Sequence, residues 1–167
     1  YNVPGRTVVD ISAATVARMA ELKNVAGIKD ATANVARMSQ HRQLVRKKDF
    51  SYLSGEDATA LGFNAHGGNG CISVTANVAP RLCAEFQKAC LAGNYARALE
   101  LQDLLMPLHD ALFVETNPGP VKYAVYRIGM IGSPECRLPM APCTEATRKT
   151  VDAALAHARL INARAAE

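Results

Sequence analysis

Val25-Ala-Gly-Ile-Lys29, Phe50-Ser-Tyr-Leu53 and Cys71-Ile-Ser-Val74 are three short apolar runs, and the segments between them carry helical patterns. Asn34 is placed to cap the first intervening helix, with Val35, Met38 and Val45 on one face. A shorter helix over residues 58–65 fills the second gap. Strand, helix, strand, helix, strand at this spacing predicts parallel βαβ units, hence an α/β fold. Upstream of the first run, Ser12 can cap a helix through about Lys23, with Val16, Met19 and Ala20 inward and Asn24 as its stop.

From Pro80 the pattern changes. Pro80 suits a first helical turn and Gly93-Asn94 breaks the run. Ala98, Leu101, Leu105, Leu108 and Leu112 then recur at steps of three and four, the stripe of a core-facing helix, with Pro107 expected to kink it. Asn117-Pro-Gly-Pro120 opens a further helix carrying Val121, Ala124, Val125 and Ile128, which Gly129 closes. A Pro-rich loop over residues 133–142 leads to a last helix capped by Thr144, with Val151, Ala154, Leu155 and Ala158 inward. The expected division is an α/β part over residues 1–93 and a helical part over 94–167. Three parallel strands need cover on both faces and at both edges, so more strands are expected upstream. A start at Tyr-Asn-Val-Pro without Met is likewise read as an unnatural one.

Composition narrows the function classes. The 167 residues are 49% hydrophobic and 20% charged, the profile of a soluble globular protein. No apolar run has membrane-spanning length and no leader is visible, which gives a cytoplasmic expectation. Cys71, Cys83, Cys90, Cys136 and Cys143 are odd in number and lack CxxC spacing, so reduced thiols are expected rather than zinc or disulfides. His41, His66, His109 and His157 show no ligand spacing and are read as surface or capping residues. The net charge of +4 is mild. Its densest cluster, Arg42 to Lys48, lies at a helix end, where the dipole favours cations, and no aromatics interleave it as in a nucleic-acid patch.

The chemistry-bearing candidates are few. Lys29 stands at the C-terminal end of an apolar strand, the end that faces the active site in parallel α/β folds. Desolvation there would free its amine to attack a carbonyl; a lysine snorkelling to the strand end is the plain alternative. Tyr1 also fits a strand end, as a proton relay or a packing tyrosine. Arg6 is a candidate carboxylate clamp or a surface ion-pair partner. Gly55 and the run His66-Gly-Gly-Asn-Gly70 permit close backbone approach, without a Walker or dinucleotide pattern.

Tyr1-Asn-Val-Pro-Gly-Arg-Thr7, Gly27-Ile-Lys-Asp-Ala-Thr32, Leu53-Ser-Gly-Glu-Asp57 and Gly67-Gly-Asn-Gly-Cys-Ile-Ser-Val-Thr-Ala-Asn77 follow one another in order. Leu105-Met-Pro-Leu-His109, Glu115-Thr-Asn-Pro-Gly-Pro-Val-Lys122 and Arg137-Leu-Pro-Met-Ala-Pro142 continue the series. Together they resemble the motifs of the dihydrodipicolinate synthase family across essentially the whole chain. The resemblance implies the C-terminal part of a (β/α)8 TIM barrel followed by a C-terminal helical domain, beginning at the end of the fifth strand. It implies that Lys29 forms an imine with pyruvate and that Tyr1 shuttles protons. Arg6 would hold the carboxylate of aspartate semialdehyde, and the backbone at Ile72, with Gly55 nearby, would line the pyruvate pocket.

No metal or organic cofactor is implied, and the family's enzymes assemble as dimers or tetramers. The upstream half would hold a threonine pair of the proton relay; half a barrel also leaves strand faces and edges uncovered, so residues 1–167 alone are expected to be inactive and partly molten or aggregated. Other pyruvate lyases of the superfamily, acting on N-acetylneuraminate or 4-hydroxy-2-oxoglutarate, share the tyrosine and lysine; Arg6 favours the synthase. A non-catalytic homologue would have had to retain Tyr1, Arg6 and Lys29 without use. A basic nucleic-acid module is a distant third.

Overall fold

The computed structural model describes residues 1–162 as two compact units. The first comprises Tyr1–Ser73 and Gln87–Ala98; the second comprises Val74–Phe86 and the chain from Leu99 onward.

The first unit is built on strands β1 (Gly27–Asp30), β2 (Ser51–Ser54) and β3 (Gly70–Cys71), parallel and in the order β1-β2-β3. Lys29 pairs with Leu53, and Leu53 with Gly70, so these three positions form one row across the sheet. Asn2 adds a parallel bridge to Asp30 on the outer side of β1. Helices α1 (Pro4–Thr7), α2 (Ala13–Ala20), α3 (Ala36–Leu44) and α4 (Ala60–Ala65) lie between the strand segments. The expected βαβ alternation is therefore present.

β3 is shorter than the run Cys71–Val74 suggested. Its ladder ends where β2 ends: the Ile72 N–H donates to the Ser54 carbonyl at 2.8 Å, and no β2 residue follows to pair with Ser73. Val74 then turns to φ −75°, ψ −43°, and the chain enters a 3-10 turn over Thr75–Asn77. Helix α2 also stops earlier than expected, but its start is as read: the Ser12 side chain accepts from the Thr15 N–H at 3.2 Å.

One face of the sheet is apolar and covered. Val16, Ala20, Ile28, Val45 and Phe50 form its buried core, so every second residue of β1 points toward α2 and α3. The opposite face carries Lys29. Lys47, from the basic cluster after α3, donates to the carbonyls of Leu22 and Val25 at 3.2 and 2.6 Å. Part of that cluster thus serves to satisfy the orphan carbonyls that follow a helix end.

Helices α5 (Pro80–Leu91) and α6 (Tyr95–Ala111) cross from one unit to the other in sequence. The leucine stripe of α6 is buried as expected: Ala98, Leu101, Leu105, Leu108 and Leu112 are all nearly inaccessible. Pro107 lies inside this helix, which continues to Ala111. In the second unit, α7 (Gly119–Arg127) and α8 (Glu145–His157) are joined by Asp152, which accepts from Arg127 Nε at 2.7 Å and Tyr123 OH at 3.1 Å. Thr144 caps α8, and Glu115 accepts from the hydroxyls of Thr144 and Thr147 at 2.5 and 2.7 Å.

The histidines correct their sequence reading. His41 and His109 are buried, not superficial, and each has a partner in the core: Asp30 lies 3.4 Å from His41 Nε2 and Thr75 2.7 Å from His109 Nδ1.

Val8 closes α1 in the left-handed region, at φ 60°, with its side chain 91% exposed. A β-branched residue there is strained, by about 1–2 kcal/mol. Exposure means that little burial is lost on truncation, so Val8→Gly should stabilise. Relief of that strain exceeds the ~0.4–1 kcal/mol that glycine adds to unfolded-chain freedom. The expected result is a higher thermal midpoint; a lower one would show that Val8 is not strained.

Candidate active site

Lys29 is carried by β1 at the edge of the sheet's open face. Its ammonium sits 4.0 Å above the centroid of the Tyr1 ring, a cation–π distance. The two residues meet because the first three residues run alongside β1 as a strand stub: Asn2 N–H donates to the Lys29 carbonyl at 2.8 Å, and Ala31 N–H to the Asn2 carbonyl at 2.9 Å. Within the described residues Lys29 is partly buried and Tyr1 is 63% exposed.

Gly55 follows β2 and lies against the lysine stem. A Cβ built there would come 2.9 Å from Lys29 Cε and 2.8 Å from Ala31 Cβ, closer than side chains tolerate. Its own N–H donates to the Asp30 carbonyl at 2.7 Å, which keeps its backbone pressed to β1. Ile72 follows β3. With its N–H bound to Ser54, its carbonyl is the main-chain group left to meet a ligand. Arg6 stands exposed in α1, and among the described residues no hydrogen bond or ion pair joins its side chain to Lys29 or Tyr1. The structure therefore brings Lys29, Tyr1 and Gly55 together.

On the covered side of β1 lies a polar network that sequence reading missed. Asp30, next to Lys29, is buried; it accepts from Arg37 Nε at 3.0 Å, Thr32 N–H at 2.9 Å and Thr32 Oγ1 at 2.6 Å. Burial alone would push its carboxyl up, but the bonds from His41, Thr32 and Arg37 outweigh this and hold it well below the usual carboxylate range. The signal that could have found this network is an Arg37/His41 pair at i, i+4 flanking Met38, polar residues on the inward face of α3.

Asp30→Asn should cost about 1–3 kcal/mol at neutral pH, because Arg37 keeps Asp10 but loses its buried carboxylate partner. The depressed carboxyl contributes in full above an unfolded aspartate's pKa of about 3.9, and that contribution is lost as pH falls below it. Melting of both proteins from pH 7 to 3 should show the gap narrowing below about pH 4. A gap that widens on acidification would contradict the charge assigned to Asp30.

A model of the Dihydrodipicolinate synthetase family matches residues 1–158. The chain is 61% identical over 161 residues to the 4-hydroxy-tetrahydrodipicolinate synthase of Methylobacterium radiotolerans, covering 96% of this chain and 53% of that one. Among solved structures, the dihydrodipicolinate synthase of Thermotoga maritima superposes with a TM-score of 0.91 at 40% identity, over 96% of this chain and 55% of that one. The chloride-inhibited dihydrodipicolinate synthase of Acinetobacter baumannii, complexed with pyruvate, gives 0.91 at 40% identity, with 96% and 55% covered. The chain spans about half the length of the curated relatives it matches. Among the described residues no helix is long and apolar enough to cross a membrane.

Proposed function

Since this chain belongs to the dihydrodipicolinate synthetase family, we propose that it carries the Schiff-base machinery of a 4-hydroxy-tetrahydrodipicolinate synthase. The observation that supports this most is the Lys29 ammonium poised 4.0 Å over Tyr1 at the C-terminal end of a parallel strand.

The Lys29 amine attacks C2 of pyruvate, and loss of water leaves an imine. Loss of a methyl proton gives the enamine, whose carbon attacks the aldehyde of aspartate semialdehyde. The semialdehyde's own amine then displaces Lys29 by transimination, closing the ring of 4-hydroxy-tetrahydrodipicolinate and regenerating the free lysine. Tyr1 is the group placed to relay protons at Lys29. Ile72 offers a carbonyl to the pyruvate end, and Gly55 leaves room for the lysine stem to extend. The covalent imine serves as electron sink, so the assignment includes no metal or organic cofactor.

The three parallel strands and the Asn2 bridge then correspond to consecutive strands of a (β/α)8 barrel. Residues 1–93 are assigned to its C-terminal part and residues 94–162 to a helical domain; residues 163–167, included in the expected division, lie outside the described residues. A cytoplasmic homo-oligomer belongs to the same assignment.

Arg6 is assigned to the semialdehyde carboxylate, bound once substrate is present. In the full-length protein, Arg6→Ala should raise the apparent KM for aspartate semialdehyde by roughly ten- to several hundred-fold, as for a lost charge-assisted bidentate contact. Pyruvate KM should change little. Equal losses for both substrates would remove Arg6 from this role, and cleavage of N-acetylneuraminate in preference to condensation would replace the synthase assignment itself.

A further inference from the structure

Arg37 engages three partners from the first turn of α3. Its Nε donates to Asp30 Oδ2 at 3.0 Å, one terminal nitrogen donates to Asp10 Oδ2 at 2.9 Å, and the other donates to the Ile11 carbonyl at 2.5 Å. Asp10 extends the chain of contacts: its other oxygen accepts from Asn2 Nδ2 at 2.8 Å, and Asn2 Oδ1 accepts from the Ile11 N–H at 3.1 Å. Asn2 and Asp30 are each almost wholly buried, so these bonds form in a setting where an unmet polar group is costly.

The ends of this chain matter for where they lie. Asp30 is the residue after Lys29, and Asn2 is the residue after Tyr1. Among the described residues, the segment after Tyr1 is joined to β1 by two main-chain bonds, from Asn2 to the Lys29 carbonyl and from Ala31 to the Asn2 carbonyl. The Arg37 fork adds a side-chain tie to these main-chain bonds: its rigid plane holds Asp30 directly and Asn2 through Asp10, so both segments are linked to one helix.

We propose that Arg37, acting through Asp10, is a positioning residue for the Lys29–Tyr1 pair: it sets where Tyr1 stands relative to the lysine and touches neither reacting group. The proposal rests on the synthase assignment. Misplacing a relay by about 1 Å costs on the order of 10²-fold in rate. Borohydride trapping taken to completion counts Lys29 sites however slow the relay, and β1 holds Lys29 by its ladder to β2.

The test uses full-length Arg37→Lys and Asp10→Ala. The lysine keeps the charge but cannot span three acceptors, and Asp10 is half-exposed, so its loss leaves no buried charge of its own. Active sites are counted by trapping the pyruvate imine with borohydride, and turnover is expressed per trapped site. Both variants should trap pyruvate at Lys29 while turnover per trapped site falls about 10- to 100-fold. The double variant should lose less than the product of the two single losses, because both cut one chain of contacts.

A purely structural role would lower the thermal midpoint and the number of trapped sites but leave turnover per site unchanged, and that result overturns the proposal. Multiplicative losses in the double variant overturn it too. If Arg37→Lys does not fold, Asp10→Ala and Asn2→Ala carry the same comparison. Absence of a trapped imine in the unaltered protein would instead sink the synthase assignment, a failure distinct from both.

Discussion

Replacing Lys29 by alanine in the full-length protein should abolish condensation of pyruvate with aspartate semialdehyde, with a loss of about 10⁴-fold or more, as when a covalent nucleophile is removed. No other amine can take its place, because the imine must form where the strand end and Tyr1 meet. The fold should survive. Lys29 is only partly buried, and β1 is held through the main-chain pairings of Gly27, Ile28 and Asp30 as well as through position 29. Circular dichroism and thermal melting should match the unaltered protein, and turnover should vanish. Retention of a tenth of the activity would remove Lys29 from the chemistry.

Gly55→Ala is the second large effect, and it acts through space rather than chemistry. The new Cβ would stand 2.9 Å from Lys29 Cε and 2.8 Å from Ala31 Cβ. Ala31 cannot retreat readily, since its N–H is bonded to the Asn2 carbonyl and it sits where the strand stub meets β1. The lysine stem is the flexible partner, so it is the lysine that moves. A displaced amine misses the attack geometry on pyruvate, and a loss near 10²-fold in kcat is expected. Stability should fall by about 1–3 kcal/mol, the usual cost of overpacking. An unchanged rate of imine formation in Gly55→Ala would show that the stem has room to spare.

The parts of the fold that could be read from sequence were those set by local periodicity. The alternation of apolar runs and helical patterns located all three strands to within a residue or two, except at the far end of β3. That end is decided by its partner: the ladder stops because β2 stops at Ser54, a fact absent from the Cys71–Val74 run itself. The stripe from Ala98 to Leu112 and the capping residues Ser12 and Thr144 are local signals too, and they hold.

The site was legible in its chemistry but not in its support. A lysine at a strand end and a glycine beside the next strand are visible one residue at a time, and the motif series joined them. The Asp10–Arg37 contact spans 27 residues and the Asp30–His41 contact 11, and no periodicity links such partners. His41 shows why single residues mislead. Its helix position faces the core, and Nε2 finds there an aspartate contributed from a different element.

A covalent imine between Lys29 and pyruvate can be trapped and located directly. Full-length protein treated with pyruvate and borohydride, digested and sequenced by mass spectrometry should carry a reduced pyruvyl group on the peptide containing Gly27-Ile-Lys-Asp30, fixed at Lys29. Treatment without pyruvate should leave that peptide unmodified. An adduct on another lysine, or none under conditions where the protein turns over, would contradict the account.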